Sequence, residues 1–93
     1  MIIHSVLHPT IIDVRSSSEF LEGNIPGSIN IPLLSIPKKI AEIMQLPKPI
    51  VIYSSNGKES SHASNFLKNL GLECMTSDSL KATKARCLVF NSI

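Results

Sequence analysis

Between Ile50 and Ser61 the chain reads IVIYSSNGKESS, an apolar strand pattern that passes through small polar residues into a helical one. Ser54, Ser55, Asn56, Gly57, Lys58, Glu59 and Ser60 are the residues whose types and spacing could do chemistry. A loop that leaves the carboxyl end of a parallel strand and opens directly into a helix aims successive backbone N–H groups, and the positive helix end, at one point. The small side chains of Ser54, Ser55 and Asn56 leave that backbone accessible, and Gly57 permits a positive φ within the curl. Such a loop attracts an anion. Lys58 favours one and Glu59 opposes it.

The elements that must position this loop follow from the patterning. Ile11, Ile12 and Val14 around Asp13 read as a buried strand, with Asp13 and Arg15 at its carboxyl end. Ser16 followed by Glu19 is a capping-box pattern and Gly23 offers a left-handed stop, so the spacing predicts a short helix over Ser17 to Glu22. Asn24 to Ser28 is a turn, and Ile29 to Ile31 a short second strand ended by Pro32. From Ser35, the positions Ile36, Ile40, Ile43 and Met44 form one stripe of an amphipathic helix, with Pro37 in its first turn and Pro47 as its stop. Ile50 to Tyr53 is apolar throughout, as suits a parallel strand covered on both faces. After the loop, Ala63, Phe66, Leu67 and Leu70 share one helical face, and Gly71 ends that helix. Leu72 to Thr76 reads as a further strand, Ser79 to Arg86 as a basic helix and Cys87 to Phe90 as an edge strand. The expectation is an α/β domain in three layers, with a mainly parallel central sheet of about five strands.

Size and composition limit what such a domain can do. A chain of 93 residues forms a single domain, 1–93, and 43% hydrophobic with 17% charged residues describes an ordinary globular core. The net charge of +2 arises after residue 61, because residues 1–61 carry five basic and five acidic side chains. That balance predicts neither nucleic-acid nor membrane binding. With no long apolar run and no signal-peptide pattern over Met1 to Leu7, the expected location is the cytoplasm. Cys74 and Cys87 lack CxxC spacing and His4, His8 and His62 form no ligand pair, so no metal, cofactor or disulfide framework is expected.

Two stretches resemble the rhodanese-like family of sulfurtransferases. The family pattern Asp-Val-Arg, Glu-Phe or Glu-Tyr, then Gly-His-Ile-Pro-Gly-Ala is met by Asp13, Val14, Arg15, Glu19, Phe20, Gly23, Ile25, Pro26 and Gly27, with mild departures at Asn24 and Ser28. The second stretch is similar to the family's active-site loop, Cys-x-x-Gly-x-Arg-Ser, with Gly57 and Ser60 matching. The resemblance implies that Asp13 and Arg15 border the site without acting as catalysts. It also implies that a six-residue loop, Ser54 to Glu59, suits a sulfane-sulfur-sized substrate, whereas the related dual-specificity phosphatases use a loop one residue longer. Against the same pattern, Ser54 stands where the cysteine would be and Glu59 where the arginine would be.

Both differences oppose sulfur transfer. A loop cysteine, with a pKa lowered from about 8.5 by the helix end and a nearby cation, supplies a thiolate that attacks the donor and holds sulfur as a persulfide. A serine hydroxyl stays protonated near neutrality and offers no comparable intermediate. Glu59 replaces a bidentate anion clamp by a negative charge, which at ~5 Å and an effective dielectric of about 20 costs on the order of several kcal/mol. Lys58 offsets part of this. The C-terminal part departs further, having Ser77, Asp78, Ser79 and Leu80 where the family has a Gly-Gly pair.

Three classes of function follow. The favoured one is a catalytically silent module that binds a small anion or a protein partner at loop 54–59. The second is a sulfurtransferase whose natural cysteine has been exchanged for Ser54, which the codon at position 54 of the natural gene would reveal. The third is hydrolysis at Ser54 with His62 as base and Glu59 as its orienting acid, which lacks a Gly-x-Ser-x-Gly elbow. Relocation of the chemistry to Cys74 or Cys87 is disfavoured, because neither lies in the loop. Lys81, Lys84 and Arg86 are read as a solvated helix face. Oligomeric state is not legible from these residues.

Overall fold

The computed structural model describes residues 9–77, in which four strands form one parallel sheet. The strands are β1 (Thr10–Asp13), β2 (Ile29–Asn30), β3 (Ile50–Tyr53) and β4 (Met75–Ser77), in the spatial order β2-β1-β3-β4. β1 and β3 are in register from Thr10 beside Ile50 to Asp13 beside Tyr53, so their carboxyl ends finish side by side. The mixed α/β architecture with a parallel sheet is the one expected. The helix over Ser79 to Arg86 and the strand over Cys87 to Phe90 lie outside the described residues, as do His4 and His8.

Helix α1 (Ser17–Glu22) begins at Ser16 with both halves of the capping box: Ser16 Oγ accepts from the Glu19 amide, and Glu19 accepts from the Ser16 amide. Gly23 closes it with φ 177°, extended backbone rather than the left-handed stop that a glycine there suggests. The second helical region divides at Ile40 into a 3-10 segment, Leu33–Lys39, and α2, Ile40–Met44. The first half keeps three-residue spacing, as in the 2.8 Å bond from the Ser35 amide to the Pro32 carbonyl, and it accommodates Pro37, which has no N–H to donate four residues back.

β3 is buried at every position, and its neighbours divide into two apolar clusters. Ile12, Ile50 and Ile52 face Ile36, Ile43 and Leu67, while Ile11, Val51 and Tyr53 pack with Ile25. Alternation along each strand sends successive residues to opposite faces, so both layers are needed to cover the sheet.

Helix α3 (Lys58–Asn69) lies on the first of these faces through Ser60, Ala63, Ser64 and Leu67. Phe66 and Leu70, expected on that buried stripe, are 39% and 48% exposed. The face is rotated because the helix already starts at Lys58 and Ser60 is tied to the end of β3. Small residues then sit centrally, and the two larger apolar side chains fall on the flank. β4 also begins later than expected, at Met75, leaving Leu72 and Cys74 as buried residues of the connection.

Candidate functional site

Ser54 follows directly on β3, and its amide donates to the Ser77 carbonyl at 3.1 Å, which holds it against the end of β4. Its side chain is wholly buried. Ser54 Oγ accepts from two backbone amides, Gly57 at 3.2 Å and Ser60 at 3.0 Å. The curl that makes this possible passes through Gly57 at φ 78°, a left-handed conformation that side chains disfavour. Asn56 Oδ1 accepts from the Lys58 amide at 3.0 Å, and Ser60 Oγ donates to the Gly57 carbonyl at 3.2 Å. Three of the amides expected to face a ligand therefore end on the loop's own side chains.

The residues read from the sequence are brought together unevenly. Ser54, Gly57 and Ser60 form one hydrogen-bonded knot, whereas Ser55 and Asn56 are exposed. Lys58 and Glu59 belong to the first turn of α3 rather than to the loop, Lys58 exposed and Glu59 half-buried. Among the described residues, no imidazole or carboxylate hydrogen-bonds Ser54 Oγ; His62 is on the exposed side of α3.

Asp13 and Arg15 border this knot through Tyr53, the residue before Ser54. Both are buried, with Arg15 Nη2 2.8 Å from Asp13 Oδ2 and 2.7 Å from the Gly23 carbonyl. The Asp13 hydrogen bond, joined by its charge, raises the pKa of Arg15 against the opposing effect of burial. The guanidinium lies 5.1 Å from the centroid of the Tyr53 ring. Arg15 thus joins the ends of β1, α1 and β3 and directs its cation inward.

A family model described as "Rhodanese-like domain" matches residues 3–80. The chain belongs to the rhodanese-like family. An uncharacterized Bacillus subtilis protein, YqhL, is 38% identical over 61 residues, 66% of this chain and 48% of that protein. A sulfurtransferase of Allochromatium vinosum is 31% identical over 61 residues, again 66% of this chain and 56% of its own length. The chain spans about half the length of these curated relatives. A crystal structure of a rhodanese-related protein from Thermoplasma volcanium superposes with a TM-score of 0.67 at 32% identity, covering 77% of this chain and 71% of that one.

In this rhodanese-like chain, the loop can do one thing well: hold the Ser54 oxygen at the start of α3 with two N–H groups. Tyr53 is the residue that patterning along the sequence missed, because it read only as the last apolar position of a strand. Its place beside Arg15 depends on Gly23 and Asp13 being nearby, which no local pattern encodes. Cys74 is a free, buried thiol 3.4 Å from Ser64 Oγ, at the amino-terminal side of β4 and away from the loop. No helix among the described residues is long and apolar enough to cross a membrane.

Proposed function

We propose that this rhodanese-like domain is a catalytically silent binding or regulatory module, with Ser54 in the position of the family's sulfur-carrying cysteine and Glu59 in that of its loop arginine. The observation that carries the reading is the state of Ser54 Oγ: fully buried, and the acceptor for the Gly57 and Ser60 amides. A hydroxyl in that position cannot hold a persulfide. With no base hydrogen-bonded to it among the described residues, it is not activated as an oxygen nucleophile either. Glu59 in the first turn of α3 works against a small anion, so a protein partner at 54–59 is the better supported ligand class. The same reading has the module act in the cytoplasm, without a cofactor.

The test is sulfur transfer from thiosulfate to cyanide by the unmodified chain, by Ser54→Cys, and by Ser54→Cys combined with Glu59→Arg. No turnover, little turnover and clear turnover are expected in that order. Turnover by the unmodified chain above solvent background overturns the proposal. A folded but inactive double variant removes the assignment of Ser54 and Glu59 to the two family positions.

A further inference from the structure

Asn56 and Gly57 form an Asn-Gly pair inside the loop, and of Asn24, Asn30, Asn56, Asn65, Asn69 and Asn91, Asn56 alone precedes a glycine. That order carries its own chemistry. The amide nitrogen of the residue after an asparagine can close on the side-chain Cγ, and a glycine, with no Cβ, neither shields the nitrogen nor restricts the backbone that must bend. Asn56 is exposed, so water reaches both the group that leaves and the ring that forms. Asn56 Oδ1 accepts from the Lys58 amide at 3.0 Å, which polarises the side-chain carbonyl and makes Cγ a better electrophile. One contact opposes closure. The Gly57 nitrogen, the atom that must attack, donates its N–H to the buried Ser54 Oγ at 3.2 Å. Attack requires that proton to be lost to solvent, so the bond to Ser54 ties up the nucleophile.

We infer that Asn56 is a site of spontaneous deamidation and that Ser54, by holding the Gly57 amide, sets its rate. In the reaction the Gly57 nitrogen gives its proton to solvent and forms a bond to Asn56 Cγ. The bond from Cγ to Nδ2 breaks, and Nδ2 takes up a proton and leaves as ammonia. Water then opens the cyclic imide at one carbonyl to give aspartate, or at the other to give isoaspartate. Either product places a carboxylate in the loop beside the first turn of α3, where Glu59 already stands, and so opposes a small anion further. Isoaspartate also lengthens the main chain between residues 56 and 57 by a carbon, which separates the Gly57 and Ser60 amides from their shared acceptor. The surface at 54–59 thus changes in charge and shape as the protein ages. This chemistry belongs to the loop whether or not the domain is catalytically silent.

The experiment incubates the full chain at neutral and at mildly alkaline pH and follows it by peptide mapping that separates asparagine, aspartate and isoaspartate. Conversion at Asn56 ahead of every other asparagine is expected, faster at the higher pH and with isoaspartate among the products. Ser54→Ala should speed conversion in the folded chain about three- to tenfold, the effect of one hydrogen bond on the barrier. Urea, which frees the same amide, should speed the unmodified chain by at least as much. Leu67→Ala weakens the fold without touching the loop and should leave the rate as it is. The inference is overturned if Asn56 reacts no faster than the other asparagines or yields no isoaspartate. It is equally overturned if neither Ser54→Ala nor urea changes the rate, or if Leu67→Ala in its folded state accelerates conversion as much as Ser54→Ala. If Ser54→Ala does not stay folded, the native and urea-unfolded forms of the unmodified chain decide the matter: equal rates in the two overturn the role given to Ser54.

Discussion

The Ser60 amide donates a 3.0 Å hydrogen bond to Ser54 Oγ across six residues of chain, joining the end of β3 to the first turn of α3. The Gly57 amide converges on the same oxygen at 3.2 Å. One buried hydroxyl thus satisfies donors that a helix start would otherwise direct at solvent or a ligand.

Removing that oxygen should destabilise the fold. Ser54→Ala leaves two amides without their acceptor in a site closed to solvent, and a loss of about 1–3 kcal/mol is expected in urea unfolding followed by circular dichroism. A loss near zero would mean that water reaches the knot and replaces the hydroxyl.

A thiol in the same place should ionise more easily than a free cysteine. In Ser54→Cys the two amides and the start of α3 favour the thiolate, while burial and Glu59 oppose it. Adding Glu59→Arg reverses one opposing term, so the double variant should show the lower thiol pKa of the two. Thiolate absorbance against pH, corrected by the unmodified chain for Cys74 and Cys87, measures the order. The reverse order would exclude Glu59 as a charge acting on the loop.

The ion pair between Asp13 and Arg15 should be essential to the fold. Asp13→Asn leaves the Arg15 cation buried without its counter-charge, a change that costs on the order of 3 kcal/mol in comparable settings. Arg15 has its pKa raised in the folded chain, chiefly by that hydrogen bond. For a raised cationic group the stabilisation is complete below the unfolded pKa and is lost only as pH climbs through the folded one. The difference attributable to Arg15 should therefore be constant between about pH 6 and 9 in guanidinium melts. A slope across that interval would assign the effect to another group.

Two substitutions one residue apart on α3 should behave differently. Leu67 is fully buried against the sheet, so Leu67→Ala is expected to cost about 2–5 kcal/mol. Phe66 is partly exposed on the flank, and Phe66→Ala should cost less than about 1.5 kcal/mol, measured by the same melts. Equal losses would place both residues on one buried stripe, as their spacing alone suggests.

Gly57→Ala tests the curl itself. A side chain at φ 78° is strained by about 1–2 kcal/mol, and the same change should weaken the hold of the Gly57 and Ser60 amides on Ser54. Faster hydrogen exchange at Ser60 is the readout. Unchanged exchange would show that the curl tolerates a Cβ.

Some of the interactions that lie within a few residues of one another were legible in the sequence. The Ser16 and Glu19 capping box, the all-apolar β3 and the positive φ of Gly57 follow from short-range sterics and hydrogen bonding, which neighbouring residues specify. The family motif at Asp13, Val14 and Arg15 was legible for the same reason. The division of the second helical region was not, because a proline in the first turn is compatible with either an α-helical or a 3-10 start, and packing chose the tighter one. The rotation of α3 was hidden as well. Periodicity marks which side chains are apolar, and only contact with β3 decided that Ser60 and Ser64 go under the helix while Phe66 goes to its flank.

By itself, then, the order of residues determined an α/β scaffold of the rhodanese-like kind and a turn, beginning at Ser54, from β3 into a helix; it did not show that Glu59 lies in the first turn of that helix. Tertiary structure decided what those residues touch. Ser54 Oγ received the Gly57 and Ser60 amides because the end of β3 meets the start of α3. Arg15 turned inward because Asp13, Gly23 and Tyr53 converge on it. These hydrogen bonds and the ion pair span only two to eight residues of chain, but which donor meets which acceptor depends on distances of a few ångströms that the packed sheet and helices set.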